Sequence, residues 1–575
     1  NLAFSEEMQS KSAPAPEQKA LDAKTQADMD MLYMMQEVEV VGNKVVTGTR
    51  LFEDPAIIPR SVNVVDNQEI FEKNELAVIN TLKNKAGIWV FGRTATDGDP
   101  VMRGVAGSNL LALINGNTLS SLWGEGAEGM DDMYGKIDSY SVERIEVVRG
   151  PASVLYGSNA LGGVLNFITK SCPYDFTQKG WQFGGSTLLA AETVALGRKF
   201  HQEFYGSSPA FKFILEGSWG KNDDVRQGGG AIQKPTSGEA RNWDFKGEIK
   251  PSKTQRLVVD LQDVHNIQIH RFHRPWQDNY NDRESAGLTY KLVEGAGIWD
   301  FAQAKAYYQY KQDRRNFFDR GAVGRATTKT FTSDMQMTKF LGHSMLTYGA
   351  AYERDNGENP DDEQFTMTFA NGAVAKDAPD SVWQNLGFFA QEEWKPSGNF
   401  EWLLLTGNMR YDLFRFQTFP DILYTPLAQN WSRENDRVDL KKNAFTGGLG
   451  ATVAVVTGIN VYGNYSRGYR LWPPKFGIGQ VGLGVAIPSP FLPPVTGDSF
   501  EVGTKTAFKG VTGNLAVFYN KFKNFPKVVP TVFLGKDWFD FDGNGIENPN
   551  NEKVYRIVAT DSSYIYGLEF DARFE

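Results

Sequence analysis

From about residue 180 onward the chain alternates apolar and polar side chains with a period of two. The alternating segments are roughly nine to eleven residues long, with loops rich in Gly, Asn, Asp and Pro between them. In 302–311, Ala302, Ala304, Ala306, Tyr308 and Tyr310 fall on one face, and Gln303, Lys305, Tyr307, Gln309 and Lys311 on the other. The stretch 211–219 sets Phe211, Phe213, Leu215 and Trp219 against Lys212, Ile214, Glu216 and Ser218; 403–411, 459–465 and 514–522 behave similarly. Successive side chains of a strand point to opposite faces, so each segment reads as a strand with one oily and one wet side. Two architectures accept such strands: a soluble sandwich around a shared core, or a membrane barrel with lipid outside and water inside. The pattern persists over roughly 395 residues, with aromatics near strand ends and no second core-forming element, which favours the barrel. Composition agrees, since aromatics reach 13%, as interfacial girdles require, and 58 glycines suit many turns. No apolar run is long enough for a transmembrane helix. Only helices and closed barrels satisfy their backbone groups in lipid.

The first third has a different texture. Residues 1–36, rich in Ala, Gln, Lys, Glu, Asp and Met, lack a strand pattern and read as a flexible extension. Position 1 is Asn with no charged–apolar–small leader before it, which fits a removed leader or a start further upstream. From residue 37 to about 175 the texture is mixed α/β: an extended run at Glu37–Val41, an alternating strand at 61–65, and short apolar strands at 110–114 and 145–148. Asp66 and Glu69 form a capping box that predicts a helix through about Lys85. A net charge of −9 argues against nucleic acid as a partner. The lone Cys172 gives no internal disulfide framework. The sequence carries no G-x-S-x-G, H-E-x-x-H or phosphate-binding loop, so no enzymatic activity is expected.

The densest local signal is Glu143-Arg-Ile-Glu-Val-Val-Arg-Gly-Pro151, continued by Tyr156-Gly157 and Gly162-Gly163-Val164-Leu165-Asn166 through Lys170. Gly150 and Pro151 break one extended segment, and 164–168 begins another. This stretch resembles the end of the plug domain of TonB-dependent receptors. Val101-Met102-Arg103-Gly104 is similar to the family's first Arg-Gly turn. Leu113-Ile114-Asn115-Gly116 resembles its Ile-Asp-Gly, with Asn115 in place of Asp, which puts a charge-based role there in question. In the second half, Tyr465-Ser-Arg-Gly-Tyr-Arg470, Asp498-Ser-Phe-Glu-Val-Gly503 and Tyr566-Gly-Leu-Glu-Phe570 are similar to barrel strands of the family.

The resemblance implies an antiparallel membrane β-barrel, about 22 strands when complete, with an N-terminal α/β plug domain inside the lumen. It divides the chain into the extension 1–36, a plug over 37–175 and a barrel over 176–575. It also implies further strands past residue 575, because the barrel part accommodates only about 16–19. The implied location is the bacterial outer membrane. The implied function is import of a scarce substrate, foremost an iron–siderophore complex, with energy from the TonB–ExbB–ExbD system. Alternatives are cobalamin, haem or another metal chelate within the class, and a passive porin outside it. Partners would be TonB, the lipid bilayer with its lipopolysaccharide, and a small chelate; no cofactor is required.

The same resemblance names candidate residues. Glu37, Val38, Glu39, Val40 and Val41 form the expected TonB box, an extended segment able to add a strand to a partner's sheet. The alternative is that this run is the plug's first strand. Arg103 and Arg149 match family arginines that pair with barrel glutamates, and Glu501 is the candidate partner in a plug–barrel latch. The alternative is that these charges only solvate the lumen. Plug-apex loops 92–100 and 120–132 supply Arg93, Asp97, Trp123, Glu125 and Glu128 as candidate substrate contacts. Asp540, Asp542 and Asn544, followed by Gly545, resemble the opening of a structural calcium loop, although Asn551 stands where its last ligand would be Glu. His265, His270 and His273 cluster in sequence, but Ser489-Pro-Phe-Leu492 stands where haem receptors carry Asn-Pro-Asn-Leu, so haem is disfavoured.

Overall fold

The computed structural model describes residues 45–574 except 52, 76, 93–97, 120–132, 273, 294–296, 319–321, 359–379, 420–436, 472–479, 482–483, 488–491, 509, 533–534, 539–544 and 548–552. Three sets of expected site residues therefore lie outside the described residues: Glu37–Val41, then Arg93, Asp97, Trp123, Glu125 and Glu128, then Asp540, Asp542 and Asn544.

Sixteen strands, from Gln182–Ala191 to Ser563–Phe574, form one sheet that follows chain order. Every pairing in it is antiparallel. Connections at one end are tight, as at 208–210, 253–254, 342–343 and 457–458. At the other end they run long, as at 359–379, 420–438, 471–494 and 524–562. That asymmetry is the pattern of short periplasmic turns and long surface loops of outer-membrane barrels.

The two faces decide between sandwich and barrel. Leu449 is 67% exposed on the outer face, whereas Gln309, Thr330 and Asp412 on the inner face are 0% exposed. A soluble sandwich buries its apolar side chains; this sheet turns them out and encloses its polar ones, as lipid outside demands. No helix among the described residues is long and apolar enough to cross a membrane. The strands are longer than the sequence pattern suggests, the longest being the 20 residues of Ala322–Leu341. At about 3.3 Å per residue such a strand outruns an apolar band about 25 Å tall. Beyond that band the outer face need not be apolar, so the alternation fades before the strand ends.

Inside the lumen lies a five-stranded sheet in the order Val62–Asp66, Val142–Arg149, Gly163–Thr169, Leu110–Ile114, Asn117–Thr118. Gly163–Thr169 and Leu110–Ile114 are buried at every position. Alternate residues explain this. Leu110, Ala112, Ile114, Leu165 and Phe167 face one core with Ile79, Leu82 and Ile145. Leu111, Leu113 and Val164 face another with Val45, Ile58 and Val148. The Asn115–Gly116 hairpin turn has positive φ at both residues (52° and 79°), the backbone that Asn-Gly adopts most readily. Asn115 Nδ2 lies 3.4 Å from Asp260 Oδ1. An aspartate there would face a like charge, which gives the departure from the family's Asp a physical reason.

The helix begins where expected, with Asp66 accepting from the Glu69 amide at 2.8 Å. It ends earlier than Lys85. The α-helix covers Asn67–Lys73, and Asn74 closes it in the left-handed region at φ 45°, followed by a 3-10 turn at Val78–Leu82. A short polar side chain tolerates that conformation and caps the helix there.

Candidate functional site

The plug meets the wall through a buried charge network. Arg103 Nη1 lies 2.7 Å from Glu501 Oε2, and Arg103 Nη2 lies 2.7 Å from Glu569 Oε2. Its Nε donates to Glu569 Oε1 at 3.0 Å. The two glutamates stand on wall strands separated by one intervening strand, Val511–Lys523. From that strand Phe518, opposite Glu501 in register, places its ring 4.1 Å from the guanidinium carbon. Glu501 Oε1 takes three further hydrogen bonds, from the Ser61 amide at 2.8 Å, the Ser61 hydroxyl at 2.7 Å and the Tyr462 hydroxyl at 2.7 Å. Arg149 Nη1 reaches Glu569 Oε2 at 3.5 Å.

Electrostatics separate the two arginines. Burial alone would lower the pKa of Arg103, but Glu501 and Glu569 outweigh it and hold the guanidinium above its ordinary value. For Arg149 burial prevails over the attraction of Glu569, and the charge of Arg103 adds to the lowering. Two of its nitrogens, Nε and Nη2, have no hydrogen-bond partner among the described residues. Arg103 is the satisfied member and Arg149 the strained one. Arg103 also holds a backbone φ of 49°, a conformation that persists only where surrounding contacts enforce it.

Sequence reading brought Arg103, Arg149 and Glu501 to this place but did not single out Glu569, which binds both arginines. The signal was present: Glu569 lies in the quoted stretch 566–570, two residues after Gly567, against whose bare backbone the Phe518 ring packs. Gly87 is the matching feature on the plug. Its φ is +69°, and a Cβ added there would sit 1.9 Å from Glu569 Oε1. Gly87→Ala is therefore expected to destabilise plug docking by about 1–3 kcal/mol through backbone strain and a displaced carboxylate. Urea titration of the micelle-solubilised chain reads this as a lower midpoint for the plug; an unchanged midpoint would mean that Glu569 is not fixed here.

The wall also grips backbone. Gln391 donates to Thr49 O at 3.0 Å, Gln336 to Arg50 O at 3.3 Å, Asn460 to Ala56 O at 2.9 Å and Thr452 to Ile57 O at 2.8 Å. Lys505 Nζ donates to both Pro55 O and Ile58 O, at 2.5 and 2.6 Å. The start of this segment is pinned to the plug by Glu146, which accepts from the Val46 and Thr47 amides at 3.0 and 2.8 Å. The described histidines of the 265–273 stretch lie against carboxylates: His265 lies 2.9 Å from Asp263 and 2.9 Å from Asp282, and His270 lies 2.7 Å from Asp278.

A lipid-facing sheet with a polar lumen, filled by a separate folded unit and pinned to it by buried ion pairs, defines a plugged outer-membrane barrel. Residues 215–575 match the family model described as TonB dependent receptor-like, beta-barrel, and residues 55–164 match the TonB-dependent Receptor Plug Domain. The chain belongs to the TonB-dependent receptor family and so to the outer membrane of Gram-negative bacteria. It is 28% identical over 325 residues to the ferric enterobactin receptor PirA of Pseudomonas aeruginosa, covering 50% of this chain and 43% of that protein. It is 27% identical over 321 residues to a hemin receptor of Yersinia pestis, covering 53% and 46%. The chain thus spans about half the length of the relatives it matches. Among solved structures, a double mutant of the Serratia marcescens hemophore receptor HasR, in complex with its hemophore HasA and heme, shares the fold. Its TM-score is 0.73 at 18% identity, over 90% of this chain and 80% of that one.

Proposed function

We propose that this receptor imports an iron–siderophore complex, using energy delivered by TonB with ExbB–ExbD to a box at Glu37–Val41. In this reading the ligand contacts surface loops and the plug apex, for which the sequence offers Arg93, Asp97, Trp123, Glu125 and Glu128 as candidates, while the outer face of the sheet meets lipid and lipopolysaccharide. The Arg103–Glu501–Glu569 network carries the proposal. A passive channel has no use for a plug held by a few convertible ion pairs, whereas a gated importer needs a plug that is stable at rest and releasable on demand.

A cavity between plug and wall is lined by cations that already pair within the protein, Arg50 with Asp334 and Arg144 with Glu146 at 2.8 Å each. It measures about 110 Å³ and is lined by Arg50, Arg144, Lys246, Lys291 and Lys305, with Asp334 as the acid among them. It is too small for a chelate as it stands, so passage requires the plug to move. The ferric enterobactin and hemin receptors among its relatives support an iron chelate as the cargo. Expression in an iron-limited strain lacking its own siderophore receptors should restore growth on ferric catecholate, with no restoration by haem or cobalamin in matched auxotrophs. Restoration by haem or cobalamin alone would sink the siderophore reading.

A further inference from the structure

We infer that the wall strands Arg198–Ser207 and Phe211–Asn222 carry a binding site for a divalent transition-metal cation, formed by His201, Glu203 and Glu216. One ligand atom from each residue lies within 4.8 Å of the other two. Register brings them together: Glu203 is paired with Glu216, His201 with Ser218, and residues two apart share the lumenal face. These strands lie at the opposite end of the strand order from those bearing Glu501 and Glu569. The site is independent of the latch and of the identity of the cargo.

The imidazole is oriented for ligation. His201 Nδ1 lies 2.8 Å from Ser218 Oγ, and Ser218 donates to Asp138 Oδ2 of the plug at 2.5 Å. With its proton given to the carboxylate, the Ser218 oxygen can only accept, so Nδ1 carries the ring hydrogen. Nε2 faces the two carboxylates, in hydrogen-bond contact with Glu203 Oε1 at 3.1 Å and 3.6 Å from Glu216 Oε1, so a bound metal would take the place of a proton on Nε2. A ring nitrogen fixed through a hydroxyl to a carboxylate is the support that metal-binding histidines use. The Tyr140 ring stacks on the imidazole at 5.3 Å and holds its plane.

An independent observation points to a cation as ligand. Glu216 is 3% exposed, and its Oε1, 3.6 Å from His201 Nε2, accepts no hydrogen bond among the described residues. A buried carboxylate oxygen without a donor is costly unless a cation compensates it. Asp244, also buried, is the cross-strand partner of Glu216 and adds negative charge. The nearby cation is Lys170 of the plug, hydrogen-bonded to Glu203 Oε1 and 3.8 Å from Glu216 Oε1. One imidazole nitrogen and two carboxylate oxygens suit Zn2+ or a neighbouring first-row ion, whereas Mg2+ and Ca2+ prefer oxygen alone. Lys170 and the metal compete for the same carboxylates, so occupancy loosens the plug's C-terminal end from the wall.

Titration of the full, micelle-solubilised chain with Zn2+, followed by calorimetry, tests the site, with Mg2+ as competitor and Co2+ absorption as a readout of the ligands. Expected are one tightly bound Zn2+ per chain, no competition from Mg2+, and a Co2+ spectrum of low-coordinate intensity. Lys170→Met should tighten binding, Ser218→Ala should weaken it about 10–100-fold, and His201→Gln or Glu216→Gln should weaken it further. His265→Gln should leave it unchanged. Absence of stoichiometric Zn2+ binding to the unsubstituted chain overturns the site, as does binding retained in His201→Gln. The Co2+ spectrum of the unsubstituted chain keeps the test valid should a variant fail to fold.

Discussion

Arg103→Ala is expected to cost about 3–5 kcal/mol of plug–wall stability, the range for removing one partner of a buried ion pair. Its side chain is 1% exposed and neutralises two enclosed carboxylates at 2.7 Å each. Without it Glu501 keeps Ser61 and Tyr462, but among the described residues Glu569 is left with Arg149 alone, at 3.5 Å. Alanine keeps a Cβ, so the positive φ at residue 103 stays as costly as before and offsets none of this loss. Arg103→Lys should fail almost as badly, since an ammonium is a point charge and cannot bridge two carboxylates through a planar fork. The informative control is Arg103→Met combined with Glu501→Gln and Glu569→Gln. The strong penalty belongs to an uncompensated buried charge; the triple variant leaves none at these three positions, so it should be more stable than Arg103→Ala. Protease nicking within 45–175 during a urea series, on the chain in micelles, measures both. An Arg103→Ala plug as resistant as the unsubstituted one would mean that the network does not hold it.

Deleting Glu37–Val41 is expected to abolish uptake while leaving ligand binding at the cell surface intact. The two observables separate because the proposed box acts on the periplasmic side and the ligand arrives from outside. Strand addition to a partner's sheet edge relies on main-chain hydrogen bonds with side-chain pockets supplying selectivity. Removing five residues therefore removes the interaction, whereas single substitutions should weaken it only partly. Val40→Pro is the sharper single change, because proline removes a ladder donor. Accumulation of labelled chelate in energised cells, set against binding to poisoned cells, gives both numbers. Uptake that survives the deletion would move the box elsewhere in the N-terminal tail.

The barrel and the plug's strands are legible in the sequence because both rest on local periodicity. The alternation in 302–311 fixes which residues face lipid, and Tyr308 lies outside while Gln309 is enclosed. Arg103, Arg149 and Glu501 are legible because each sits in a short motif. Glu569 illustrates the limit. It stands 466 positions from Arg103, and only strand register across Phe518 brings the two together. The wall's hold on Thr49, Arg50 and Ala56–Ile58 is less legible still. The acceptors are backbone carbonyls, common to every residue type, and the donors read as ordinary polar lumen positions. The shortened helix shows a third kind of loss, since Asn74 carries a stop signal that a continuing polar–apolar pattern masks.

The backbone hold has a mechanical consequence. The carbonyls of residues 49, 50 and 55–58 are each held, by donors on five different wall strands, with Lys505 taking both 55 and 58. Load applied from the N-terminus reaches these bonds in sequence, so they part as a zip opens and do not resist together as a seam does in shear. With a net worth of about 1 kcal/mol for a typical hydrogen bond and about 1.5–3 kcal/mol where the donor is charged, as at Lys505, most steps are small barriers. A larger one falls at residue 50, where the Arg50 side chain also pairs with Asp334 at 2.8 Å. Modest force over a long stroke would peel the segment as far as Ser61, whose side chain and amide lead directly into Glu501.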